Sequence, residues 1–147
     1  MAEGTHIVCP HCDSVNRIPA SRSAAEAKCG VCHKRLFTGH ATPVAAASFE
    51  KHIARNDIPV VVDFWADWCG PCKMMAPYYE EAAAAMEPAV RFLKLDTDRE
   101  TEIAARYGIR GIPTLIVFRG GKPIATQSGA MNAGQIRAWL DQGMRAA

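Results

Sequence analysis

The chain has 147 residues, 49% of them hydrophobic, and 17 basic against 15 acidic side chains leave a net charge of +2. That near balance excludes the basic bias of a dedicated nucleic-acid binder, and no apolar run approaches the roughly 20 residues that span a bilayer. The hydrophobic content suffices for one core of ordinary size, with or without a small appendage. In chain order, Met1-Ala2-Glu3-Gly4-Thr5-His6 carries neither the basic start nor the apolar stretch of a secretory signal, so a cytoplasmic location is expected. Thiols stay reduced there, and six cysteines then point to metal or catalysis instead of a disulfide framework.

The cysteines form three CxxC pairs: Cys9/Cys12, Cys29/Cys32 and Cys69/Cys72. The first two follow C-x2-C-x16-C-x2-C, a spacing suited to one zinc ion held by four thiolates. Large apolar residues before His40 are few (Ile7, Val8, Val15, Ile18, Val31, Leu36, Phe37). They are too few to stabilise a separate unit, and a metal could supply the missing folding energy. Three readings compete with zinc: a second dithiol at Cys9-Pro10-His11-Cys12, iron on the four thiolates, and four free or disulfide-forming cysteines. The first pair stands too near the N-terminus to follow a βαβ-type strand, and a complete cysteine set leaves His11 and His33 no ligand role to fill. One structural zinc on Cys9, Cys12, Cys29 and Cys32 is the preferred reading. Residues 1–40 are thus expected to form a zinc-binding module, ended by the glycine- and proline-bearing linker Thr38-Gly39-His40-Ala41-Thr42-Pro43.

Beyond the linker, Ser48 is placed to cap a helix running to about Arg55. Pro59 to Trp65 is a near-continuous apolar run, as in a strand buried on both faces. Cys69 to about Met86 follows as a long helix with apolar residues at helical spacing and a kink expected at Pro77. A strand over Val90–Leu95 precedes a short helix from Arg99 to Tyr107, closed by Gly108. Strands at Thr114–Phe118 and Ile124–Gln127 are joined by a Gly120-Gly121 turn. A last helix starts near Asn132, where Gln135 completes a capping-box pattern, with Ile136, Trp139 and Leu140 facing inward. The fold class is α/β with a mixed sheet.

The third cysteine pair sits where a strand ends and a helix begins. Unpaired amides and the positive end of the helix dipole there favour a thiolate, and a lowered pKa makes a cysteine a nucleophile at neutral pH. Cys69 is expected at the exposed start of the helix and Cys72 one turn further in. Asp63 is a carboxylate inside a buried strand, costly unless functional or paired. Desolvation should raise its pKa, making it a proton acceptor near neutrality; a structural ion pair is the alternative. Trp65 reads as core packing, Met74 and Met75 as helix packing, and Asp67 and Lys73 as solvated flank charges.

Trp68-Cys69-Gly70-Pro71-Cys72-Lys73 after Asp63-Phe64-Trp65-Ala66 resembles the thioredoxin family. Lys94-Leu95-Asp96-Thr97-Asp98, Tyr107-Gly108-Ile109-Arg110-Gly111-Ile112-Pro113-Thr114 and Gly129-Ala130 resemble further segments of it, in the family's order. The resemblance runs from Ala41 to the C-terminus, so residues 41–147 are expected to be a thioredoxin-like domain behind a zinc-ribbon-like module, as in the zinc-containing second type of bacterial cytoplasmic thioredoxin. It implies a protein-disulfide reductase in which Cys69 attacks and Cys72 resolves. It further implies Asp63 behind Cys72 with Lys94 nearby, a cis bond before Pro113, and an Ile112 backbone ready to pair with an extended substrate. Trp68, Gly70, Pro71, Gly129 and Ala130 would complete a shallow apolar groove. The implied partners are disulfide-bearing proteins and an NADPH-dependent flavin reductase, with a monomeric chain, no cofactor at the dithiol, and no membrane or nucleic acid. The zinc module is expected to tune redox behaviour or partner choice through contacts near the dithiol. Two readings of other classes stand beside the reductase: a redox sensor that releases zinc on oxidation, and an interaction module using the mild basic bias of Arg17, Arg22, Lys28, Lys34 and Arg35.

Overall fold

A computed structural model describes residues 4–146. The expected N-terminal unit opens with an element that the sequence reading does not contain, an antiparallel hairpin of β1 (Gly4–Val8) and β2 (Val15–Pro19), in which Val8 stands opposite Val15. The remainder carries a five-stranded mixed sheet in the order β3-β5-β4-β6-β7. Its strands are β3 (Thr42–Pro43), β4 (Val60–Trp65), β5 (Arg91–Asp96), β6 (Thr114–Arg119) and β7 (Lys122–Ser128). β4 runs parallel to β5 and antiparallel to β6. The segment expected to be pure linker thus joins the sheet, because Thr42 and Pro43 pair with Leu93 and Lys94 at the edge.

Helices α1 (Ala46–Arg55) and α3 (Thr101–Arg106) cover one face; α2 (Gly70–Met86) and α4 (Ala133–Ala146) cover the other. Strand alternation sorts the two cores. Val60, Val62 and Phe64 pack with Phe49, Ile53 and Ile103, while Val61, Phe92, Leu115 and Val117 meet Met75, Tyr79, Ile136 and Leu140. Tyr79 is buried and its hydroxyl donates to the Leu93 carbonyl at 2.6 Å, satisfying its polar end.

The capping box of α4 forms as its sequence suggests: Asn132 Oδ1 accepts from the Gln135 amide at 2.8 Å and Gln135 Oε1 from the Asn132 amide at 2.9 Å. Gly108 closes α3 at φ +65°, a conformation that disfavours a side chain. Helix α1 departs from expectation. It begins at Ala46 behind an Ala45 cap without a side-chain bond, and Ser48 lies inside it, donating to Asp13 Oδ2 at 2.5 Å. Ser48 therefore ties the N-terminal unit to α1 instead of capping the helix.

That tie is one of several. The N-terminal core of Ile7, Cys9, Ile18, Cys29, Leu36 and Phe37 also takes in Ile58, just before β4. Arg91, only 1% exposed, sends its guanidinium to the carbonyls of Val8 (3.0 Å) and Leu36 (2.8 Å) and lies 4.3 Å from the Phe37 ring centroid. Glu87 Oε2 stands 3.3 Å from Arg91 Nη1, and Asn56 Oδ1 accepts from the Val8 amide at 2.8 Å. The N-terminal unit is therefore docked on the end of the sheet where β4 and β5 begin.

Candidate active site and metal cluster

Cys69 is the N-cap of α2, and its sulfur accepts from the Cys72 amide at 3.2 Å. An N-cap sulfur facing a free amide at the positive end of a helix is stabilised as a thiolate. Cys69 and Cys72 stand at disulfide distance, their Cα atoms 5.3 Å apart. The sequence predicts an exposed Cys69 and a buried Cys72, yet both are covered, at 3% and 2% exposure. The Ile112 carbonyl lies 3.6 Å from Cys69 Sγ, so the loop before Pro113 closes over the first sulfur. The Ile112–Pro113 bond is cis. Gly129, at φ +99°, donates its amide to the Pro113 carbonyl at 2.9 Å, which brings Gly129 and Ala130 to the same rim. Trp68, 70% exposed, and the exposed Gly70 and Pro71 stand on the dithiol's own segment. Sequence reading gives no partner for the Trp68 indole, which donates to Asp98 Oδ2 at 3.0 Å and so holds an exposed ring in place.

Asp63 pairs in register with Lys94 on β5 and Leu115 on β6. It is 3% exposed and its Oδ1 is buried without a hydrogen-bond partner. Burial pushes its carboxyl up to about 7, with the nearby Lys94 charge pulling the other way. Among the described residues the two make no ion pair. Lys94 Nζ instead lies 4.4 Å from the Trp65 ring centroid, a cation–π contact that gives Trp65 a role besides packing.

At the opposite end, Cys9, Cys12, Cys29 and Cys32 bring their four sulfurs within 4.8 Å of one another. Cys9 Sγ is 3.6 Å from Cys32 Sγ and Cys12 Sγ is 3.6 Å from Cys29 Sγ. Tetrahedral zinc with bonds of about 2.3 Å would separate its sulfurs by about 3.8 Å, so the donor set fits. The two CxxC turns are built alike. Asp13 and His33, each just after its second cysteine, have φ +65°, and their amides bond back to the Cys9 and Cys29 carbonyls. The amides of His11 and Val31 point at Cys9 and Cys29 Sγ, both at 3.3 Å, as donors to thiolate ligands do. His11 Nε2 lies 3.0 Å from the Arg35 carbonyl, away from a ligand role.

The four-cysteine unit bonds to Arg91, the first residue of β5, and packs on Ile58 just before β4, whereas the dithiol follows the last residue of β4. A six-residue strand puts about 20 Å between them.

The family model described as Thioredoxin matches residues 40–142, and the one described as Thioredoxin 2, N-terminal matches residues 8–34. Thioredoxin C-3 of Corynebacterium nephridii is 38% identical over 136 residues, covering 92% of this chain and 93% of that protein. Thioredoxin of Allochromatium vinosum is 48% identical over 94 residues, covering 64% and 88%. In three dimensions a mutant thioredoxin from Halobacterium salinarum aligns at a TM-score of 0.65 and 29% identity, covering 72% of this chain and 92% of that one. With its dithiol at the start of α2 and its four-cysteine knuckles at the N-terminus, the chain belongs to the thioredoxin family and carries that family's Thioredoxin 2 type of N-terminal zinc ribbon.

Proposed function

We propose that the protein is a cytoplasmic protein-disulfide reductase whose working group is the Cys69/Cys72 dithiol. The observation that carries this reading is the Cys69 sulfur at the N-cap of α2, facing the Cys72 amide, with a buried carboxyl on the adjoining strand. The Cys69 thiolate attacks one sulfur of a substrate disulfide; a mixed disulfide forms and the other substrate sulfur leaves as thiolate. Cys72, its proton passed to Asp63, attacks the Cys69 sulfur and releases the second substrate thiol. The substrate gains two electrons and the protein is left with a Cys69–Cys72 disulfide. Lys94 moderates the charge on Asp63, and the Ile112 backbone with Trp68, Gly70, Pro71, Gly129 and Ala130 receives an extended substrate segment. An NADPH-dependent thioredoxin reductase returns the dithiol to its reduced form.

Residues 1–40 and 41–147 act as two units in this reading. Cys9, Cys12, Cys29 and Cys32 would hold one zinc, which when bound supplies folding energy to the N-terminal unit. Any tuning of redox behaviour or partner choice by that unit would pass through the docking contacts at the base of β4 and β5. The test is covalent trapping. Cys72→Ser should accumulate mixed disulfides with protein substrates, seen by mass spectrometry; accumulation by Cys69→Ser and not by Cys72→Ser would reverse the two roles.

A further inference from the structure

Four large apolar side chains stand exposed among the described residues, and three of them flank the dithiol: Trp68 at 70%, Met74 at 66% and Tyr78 at 43%. Trp68 precedes Cys69 and belongs to the groove already described. Met74 and Tyr78 are four residues apart on α2, so they share one face of the helix. With Met75, Ala130, Met131 and Asn132 they line a cleft of about 140 Å³.

From this cleft we infer a second recognition element, an apolar subsite that takes a leucine- or phenylalanine-like side chain flanking the attacked cysteine of a substrate protein. It rests on the reductase reading and deepens it. Continuity argues for this occupant: Ala130 lines the cleft and follows Gly129, whose amide bonds to the Pro113 carbonyl beside the dithiol. A segment lying along the Pro113 loop would therefore pass beside the cleft's Ala130 edge. Size argues the same way, since small-molecule pockets run to about 300–1,000 Å³ while an apolar cavity of about 150 Å³ accepts a benzene ring. The lining carries no charge, and the thioethers of Met74 and Met131, which are not locked in the core as Met75 is, are flexible enough to fit side chains of different shape.

The experiment uses the full chain, pre-reduced, and two disulfide-linked peptides that differ only in the residue beside the cysteine, leucine in one and asparagine in the other. The ratio of their kcat/KM values is read for the wild-type chain, for Met74→Ser, for Tyr78→Ser, and for Val31→Ser on the distant second knuckle. Met74 and Tyr78 are exposed, so their replacements leave the core intact. We expect the wild type to favour the leucine peptide about tenfold, as one apolar side chain in a partly open site allows. Met74→Ser and Tyr78→Ser should bring the ratio towards one, and Val31→Ser should leave it at the wild-type value. A wild-type ratio near one, or a ratio unmoved in both α2 variants, would overturn the subsite. So would a wild-type dimer, seen by light scattering, that Tyr78→Ser dissociates, since the face would then belong to a second copy. Reduction of neither peptide by the wild type would instead remove the reductase reading itself.

Discussion

Asp63 shows how one residue's environment sets its protonation and its contribution to stability. Its carboxyl titrates near 7 when folded and near its ordinary 3.8 when unfolded, because ionising it inside the sheet is costly. A raised folded pKa means that the contribution to stability is fully present below pH 3.8 and is lost as pH rises through 7. Asp63→Asn removes that loss, so its thermal stability relative to wild type should grow between pH 4 and pH 8. The upper limit is about 4 kcal/mol, since each tenfold change in proton affinity is worth about 1.4 kcal/mol. Kinetics should move the other way: resolution and re-reduction in wild type should quicken as pH rises through 7, and the variant should be slower and lose that dependence. Stopped-flow measurement from pH 6 to 8 decides it, and unchanged rates would make Asp63 a structural residue. A lone carboxylate in an apolar strand made this position legible without a structure. Arg91 offered the same signal, a charge at the head of a buried strand, and its partners Val8 and Leu36 lie too far away in sequence for local pattern to name them.

Elements with local causes could be read from sequence, and those with distant causes could not. The Asn132/Gln135 box, Gly108 at the end of α3 and the Gly120-Gly121 turn each settle within a few residues, and all three stand where their residue types put them. Asn132→Ala should therefore cost about 1 kcal/mol, a fall of about 3 °C in Tm by calorimetry; no change would mean that the box is redundant. Strand β3 has no such local cause. Thr42 and Pro43 carry linker punctuation, and only the free edge of β5 makes a strand of them. The knuckles lie between these cases. The CxxC spacing is plain, yet Asp13 and His33, types that tolerate positive φ without demanding it, reach φ +65° only as their amides close each turn on Cys9 and Cys29. Ser48 is a cap by type and becomes an anchor because Asp13 lies within reach.

At the scale of the whole molecule, the four-cysteine unit and the dithiol sit at opposite ends of one sheet, and a buried charge joins that unit to the sheet. Arg91 and Glu87 are each 1% exposed at the side chain, and Arg91 bonds to the N-terminal unit through two carbonyls. Breaking a buried pair leaves an uncompensated charge and typically costs about 3–5 kcal/mol. Arg91→Met should accordingly lower Tm and speed the loss of metal to a chelator; an unchanged release rate would show that the clasp does not couple the units. The dithiol lies about one strand length from this clasp, about 20 Å, and its helix, the strand that bears Asp63 and the Pro113 loop all come from residues 41–147. The most direct test is disulfide reduction by the full chain with thioredoxin reductase and NADPH, followed while a chelator withdraws the metal and the metal is counted. Sustained turnover, one zinc per chain at the start and most of the activity surviving its removal are expected. A folded chain without turnover, or activity that disappears in step with the metal, would contradict the account.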